Sequence, residues 1–201
     1  MHGGSNETRY CYDIEDVNAK IEDAESEMLT VNNAHFQSTR LLRLESRQSA
    51  AYKGIMALLY KGKGLDLMRG ISIDIVNSME TAPDIHHIFP QSRCVKTGYE
   101  RHKWNSVINK MPLLPESDRE IGGLTPSVCS AKFVKKVKSN RVNSVIESNL
   151  IDWDAFINDD FDAYFKDRAM ALLDAIEFAM GKSISDRGTE ETVKRFGCPL
   201  E

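Results

Sequence analysis

Cysteine is scarce and scattered. The four that occur, Cys11, Cys94, Cys129 and Cys198, form no Cys-x-x-Cys pair. That spacing argues against a cysteine-built zinc site and against a disulfide framework, so a reducing cytoplasm is the expected compartment. No run of about 18 apolar residues occurs, so no transmembrane helix and no membrane partner are expected. The opening Met1-His-Gly-Gly-Ser-Asn-Glu7 has no apolar core and is not expected to act as a secretory signal. An excess of positive charge is also missing: the net charge is −4 over 201 residues. What remains is an ordinary soluble balance, 41% hydrophobic and 28% charged, long enough for one large or two small domains.

The charge is unevenly spread. Residues 91–141 carry 11 Lys/Arg against 4 Asp/Glu, a net +7, whereas residues 1–90 carry −4 and residues 142–201 carry −7. A basic middle between acidic flanks places positive potential where phosphates could sit. An unevenly charged, solvated surface accounts for it equally well.

Apolar periodicity predicts mostly helix. Residues 13–31 place Ile14, Val17, Ile21 and Ala24 at helical spacing, with Asn32-Asn33 as the break. Residues 48–60 repeat Ala51, Ile55, Leu58 and Leu59, and Lys61-Gly-Lys-Gly64 stops the helix. Ile71–Val76 reads as strand or helix. After the break at Thr81-Ala-Pro83, the alternation through Asp84–Phe89 predicts a strand ended by Pro90. A second short strand is expected at Lys110–Leu114, a helix start at Pro115, a helix over Pro126–Lys138, and a long helix over about 160–180. Asp159 or Asp160 would cap that last helix and Gly181 would end it. The resulting organisation is an N-terminal helical segment (1–80), a central core (81–140), a C-terminal helical segment packing on it (141–182) and a loose tail (183–201).

The adjacent histidines at His86-His87 carry the chemistry. Neighbours on a strand point to opposite faces, so both cannot belong to the core. If the strand end twists, or the chain bends at Pro90, both could approach one phosphate. One imidazole could hold a divalent metal and the other take a proton from water. A bare His-His pair is more often one structural and one exposed histidine.

The longer string Asp84-x-His-His-x-Phe-Pro-Gln-Ser92, with its His-x-x-Pro element, resembles the first strand of HNH (His-Me finger) nucleases. The resemblance implies an α+β, mostly helical fold in which a small ββα-metal finger, embedded in a helical shell, holds one divalent ion, Mg²⁺ or Mn²⁺. It implies that His87 is the general base and His86 a metal ligand. Asn109 matches the family's bracing asparagine, with Asn105 as its rival. Asp118 occupies the helix position where the family usually has Asn or His, a departure that oxygen-loving Mg²⁺ or Mn²⁺ tolerates. His102 is a rival ligand. Asp84, two residues before His86, could orient a histidine or join the metal shell.

Four further patches, Gly3–Arg9, Ser49–Leu58, Gly122–Ser127 and Asp160–Arg168, resemble the C-terminal half of GmrSD-type (type IV) restriction proteins. Those are modification-dependent anti-phage systems whose other half is a ParB-like nucleotide-hydrolysing domain with an Asp-Gly-Gln-Gln-Arg type motif. No such motif occurs here, so that half is expected in a separate or missing domain or subunit. DNA, including modified phage DNA, is the implied substrate. Lys132, Lys135, Lys136, Lys138 and Arg141 follow the finger and are candidate phosphate contacts, as a solvated helix face is too. Arg93, Lys96, Arg101 and Lys103 are weaker candidates, and Trp104 fits either a core or a stacked base. Three readings stand: a metal-dependent endonuclease, an inactive binding module of the same fold, and a helical interaction domain with a fortuitous His-His pair.

Overall fold

The computed structural model describes residues 6–62, 64–73 and 83–201. The expected element at Ile71–Val76 is described only as far as Ile73. The rest of it, with Gly3–Ser5 and the break at Thr81-Ala82, lies outside the described residues. The fold is α+β and mostly helical, with one two-stranded antiparallel sheet.

The chain divides into two units at residues 36 and 37. The first holds α1 (Asn6–Glu22) and α2 (Leu29–Asn32). Here the sequence expectation fails in detail. The helix starts earlier and ends at Glu22, and the Leu29 amide and the Thr30 hydroxyl donate to Asp16 and Asp13 of α1. The apolar positions Ile14, Val17 and Ile21 are exposed on α1 instead of buried.

The second unit, Gln37–Glu201, carries the core. It opens with a 3-10 turn at Ser38–Arg43 and continues into α3 (Ala50–Lys61), which buries Tyr52, Ile55, Met56 and Leu59 and ends at Gly62. A tight loop follows at 64–73. There Leu65 bridges Ser72, and Gly70 adopts a positive φ of 61°. A Cβ on Gly70 would lie 3.2 Å from Val137, so both backbone and space favour glycine.

Strands β1 (Asp84–His87) and β2 (Lys110–Leu113) pair with Asp84 opposite Leu113 and His87 opposite Lys110. Between them the basic stretch folds as two short helices, α4 (Gln91–Lys96) and α5 (Arg101–Trp104), and a 3-10 turn at Val107–Asn109. Trp104 is a core residue, 7% exposed. Pro115 opens α6 (Pro115–Ile121) at its first position, where a missing amide costs nothing.

Helix α7 (Pro126–Lys136) stops two residues short of expectation. Val137 turns extended to enter the core, and Lys138 precedes α8 (Ser139–Ser148). After α9 (Trp153–Ile157), the long α10 (Phe161–Met180) runs as the sequence predicts. Asp160 accepts the Ala163 amide at its start, and Gly181 closes it in the left-handed region.

Helix α10 is the post on which the site is hung. Tyr164 donates its hydroxyl to the Ile108 carbonyl (3.0 Å), and Arg168 donates to the Tyr164 hydroxyl (2.9 Å) and the Lys110 carbonyl (3.0 Å). Both side chains are fully buried. These bonds tie α10 to the segment leading into β2.

The loose tail expected at 183–201 is not loose. It forms α11 (Glu190–Phe196), capped by Thr189, and buries Ile184, Phe196 and Leu200. Phe196 stacks on Phe165 of α10 with ring centres 6.0 Å apart. Asp186 accepts the Ser38 amide and hydroxyl, joining the tail to the start of the unit. Burial of these three apolar residues, each contributing roughly 1.5–3 kcal/mol, adds to the hydrogen bonds of α11, Asp186 and Arg187 in holding the segment in place. The tail thus belongs to the same unit as the rest of Gln37–Glu201.

Candidate active site

The histidines leave β1 in opposite directions, as a strand requires, and each meets a different element. His86 is buried, and its Nδ1 lies 2.7 Å from Oδ1 of Asp118 on α6. His87 is half-buried, with Nε2 3.2 Å from Oδ1 of Asn105 at the end of α5 and its ring edge against Trp104 (5.8 Å). Even so, both histidines and Asp118 line a single cleft of about 580 Å³, rimmed by Pro90–Ser92 and Gly122–Gly123. The bend at Ile88–Pro90 and the opening of α6 bring this about.

Asn109 holds the bend. It is fully buried, its Oδ1 accepts the Phe89 amide at 2.8 Å, and its Nδ2 donates to the carbonyls of Phe89 and Trp104, each at 2.9 Å. The loop-bracing geometry expected of Asn109 is thus present, at one remove from His87. Asn105, the rival, is the residue that touches His87. Its Nδ2 donates to Oε2 of Glu45 at 2.8 Å.

Asp66 does for α6 what Asn109 does for the bend. Fully buried, it accepts the Leu114 amide (3.0 Å) and the Ser117 hydroxyl (2.6 Å), while also closing its own loop through the Met68 and Arg69 amides. This sets the first turn of α6, and with it Asp118. Sequence reasoning missed both Asp66 and Glu45. Each lies far from the histidines along the chain, and no local sequence signal marks either.

Electrostatics favour a neutral His87. Burial pulls its pKa below the ordinary imidazole value. The Asn105 bond opposes this, and the charges of Lys110 and His86 reinforce it. Lys110 is itself buried, which lowers its pKa against the pull of Glu45, and its ammonium donates to the Glu45 carbonyl at 2.6 Å.

Other sequence candidates fall elsewhere. Asp84 does not join the pair: among the described residues no group of three His, Cys, Asp or Glu could share an ion. His102 is engaged by Glu100 at 3.0 Å and lines a separate groove beside α11. Lys132, Lys135 and Lys136 are exposed on α7, and Lys136 is ion-paired with Glu120 of α6. Lys138 and Arg141 are exposed on the α7–α8 junction and α8. None of the five lines the cleft.

The chain is similar to a longer archaeal protein. It is an uncharacterized protein of Methanocaldococcus jannaschii, 24% identical over 168 residues. The match covers 77% of this chain but only 28% of that protein, so the chain corresponds to a minor part of its relative. No family model matches the chain. No solved structure matches it. Among the described residues no helix is long and apolar enough to cross a membrane.

Proposed function

We propose that this chain is a metal-dependent endonuclease domain of the HNH type that hydrolyses phosphodiester bonds in DNA. The observation that carries the reading is the contact of His86 with Asp118, 32 residues apart, in the cleft that His87 also lines.

The donor set suits Mg²⁺ or Mn²⁺. Two ligands about 2.1 Å from one octahedral ion sit about 3 Å apart, close to the 2.7 Å between Nδ1 of His86 and Oδ1 of Asp118. Two protein ligands leave the remaining positions to water and phosphate, the usual arrangement for Mg²⁺ at phosphate sites. A bound ion would supply charge stabilisation to the phosphate and the leaving oxygen. His87 accepts a proton from water as the water oxygen bonds to phosphorus and the P–O bond to the leaving oxygen breaks. Its lowered pKa keeps it unprotonated for that step at neutral pH. Asn109 and Asp66 hold the bend and the helix that aim the two histidines.

The setting follows the resemblance to GmrSD-type restriction proteins: cytoplasmic, antiviral, acting on modified DNA, with a ParB-like nucleotide-hydrolysing domain or subunit as partner. A second reading also has an observation behind it. The direct His86–Asp118 contact is a satisfied pair as it stands, which suits an inactive DNA-binding module of the same fold. Plasmid nicking with Mg²⁺ or Mn²⁺ separates the two. Wild type is expected to nick and His87→Ala to lose at least 100-fold, the lower range for a general base. Equal behaviour of the two proteins rejects the nuclease.

A further inference from the structure

The chain behind His87 has a direction. A carboxylate only accepts hydrogen bonds, so the atom of Asn105 that faces Glu45 has to be its NH₂ group. The amide carbonyl of Asn105 is thereby turned towards His87, where it meets Nε2 at 3.2 Å. A carbonyl only accepts, so Nε2 has to carry the proton. In the neutral ring the lone pair then belongs to Nδ1.

Glu45 is itself held. Its backbone carbonyl accepts the buried ammonium of Lys110, the residue paired with His87 across the sheet, and its carboxylate also meets Arg101 at 3.4 Å. We propose that Glu45 and Asn105 are positioning residues that fix His87 as its Nε2–H tautomer, so that Nδ1 is the nitrogen that takes the proton from water. The catalytic part of this statement rests on the nuclease reading; the tautomer does not. Neither residue is among those lining the cleft; Glu45 bonds to Asn105, which in turn meets His87.

The test is ¹⁵N NMR of the histidine side chains in the full metal-free chain, at a pH where His87 is neutral, with its signals assigned by their loss in His87→Ala. Wild type is expected to show a single tautomer protonated at Nε2. Glu45→Ala frees the Asn105 amide and is expected to give a mixture of tautomers. Glu45→Lys presents a donor in place of an acceptor, turns the amide over and is expected to move the proton to Nδ1. A wild-type ring protonated at Nδ1, a wild-type mixture, or a tautomer unchanged in both variants overturns the proposal.

Nicking kinetics supply the second arm. Glu45→Ala is expected to lower kcat about 10- to 100-fold with KM little changed, the usual cost of losing the partner that orients a working histidine. Asn105→Asp sets two carboxylates face to face and is expected to lose as much. Adding Glu45→Gln to it restores a donor facing an acceptor and is expected to recover most of the rate; no recovery counts against the chain. If wild type nicks with neither metal, the nuclease reading fails while the tautomer result still stands or falls by itself.

Discussion

Replacing Asn109 tests the bend that brings the two histidines to one cleft. Its three hydrogen bonds satisfy the Phe89 amide and the carbonyls of Phe89 and Trp104, and the side chain is fully buried. Asn109→Ala leaves those groups without their partner. Each unsatisfied buried group costs about 1–3 kcal/mol. The Phe89 carbonyl keeps a weak contact from the Cys94 thiol, so a loss of about 3 kcal/mol is expected, towards the lower end of the sum. Asn109→Asp is the discriminating variant. It is nearly isosteric and keeps the acceptor for the Phe89 amide, but turns an oxygen towards two carbonyls. If Asn109 acted by filling space, Asp would cost less than Ala. If it acts by donating, Asp costs at least as much, and the loss shrinks on acidification as a protonated carboxyl becomes a donor again. Urea unfolding followed by fluorescence reads this cleanly, because both tryptophans, Trp104 and Trp153, lie in the 37–201 unit. With an m-value of about 2 kcal/mol/M, the Ala variant should unfold about 1.5 M earlier. An Asp variant as stable as wild type, or more stable than the Ala variant at neutral pH, refutes the bracing role.

Two further outcomes are expected. Lys132 and Lys135 are exposed on α7, whereas Lys136 is engaged by Glu120. Changing Lys132 and Lys135 together to Ala is therefore expected to flatten the dependence of log K for DNA on log salt by about 1.8, at 0.9 per lost phosphate contact. An unchanged slope makes that face merely solvated. Tyr52, Tyr99 and Tyr164 are held up at about 12, primarily by burial. Their protonated forms favour the folded state, so the stability they contribute is present below pH 10, their ordinary value, and is lost between pH 10 and 12. Absorbance titration should show these three ionising together with unfolding. Reversible ionisation of all six tyrosines near pH 10, with tryptophan fluorescence unchanged, would contradict the burial.

Sequence alone determined the local elements. The spacing of apolar residues in Ala50–Lys61 and Phe161–Met180, the caps at Asp160 and Gly181, and the alternation at Asp84–His87 are short-range signals, and the chain obeys them. The same signals misplaced what depends on distant partners. The helical spacing of Ile14, Val17 and Ile21 marks an apolar face, and that face is exposed. The polar tail reads as loose but buries Ile184, Phe196 and Leu200, because the core it packs against is built by residues far away in the sequence. At the candidate site, the His86-His87 pair stands out in the sequence itself, whereas Asn109 and Asp118 were singled out by the resemblance to HNH nucleases. That His86 meets Asp118 and Asn109 clamps Phe89 required the folded chain. Asp66, Glu45 and the turn of Asn105 towards His87 were not legible at all. A hydrogen bond between residues 18 or 60 positions apart leaves no periodicity in a sequence; only the packing of α5, α6 and β2 around β1 decides which donor faces which acceptor.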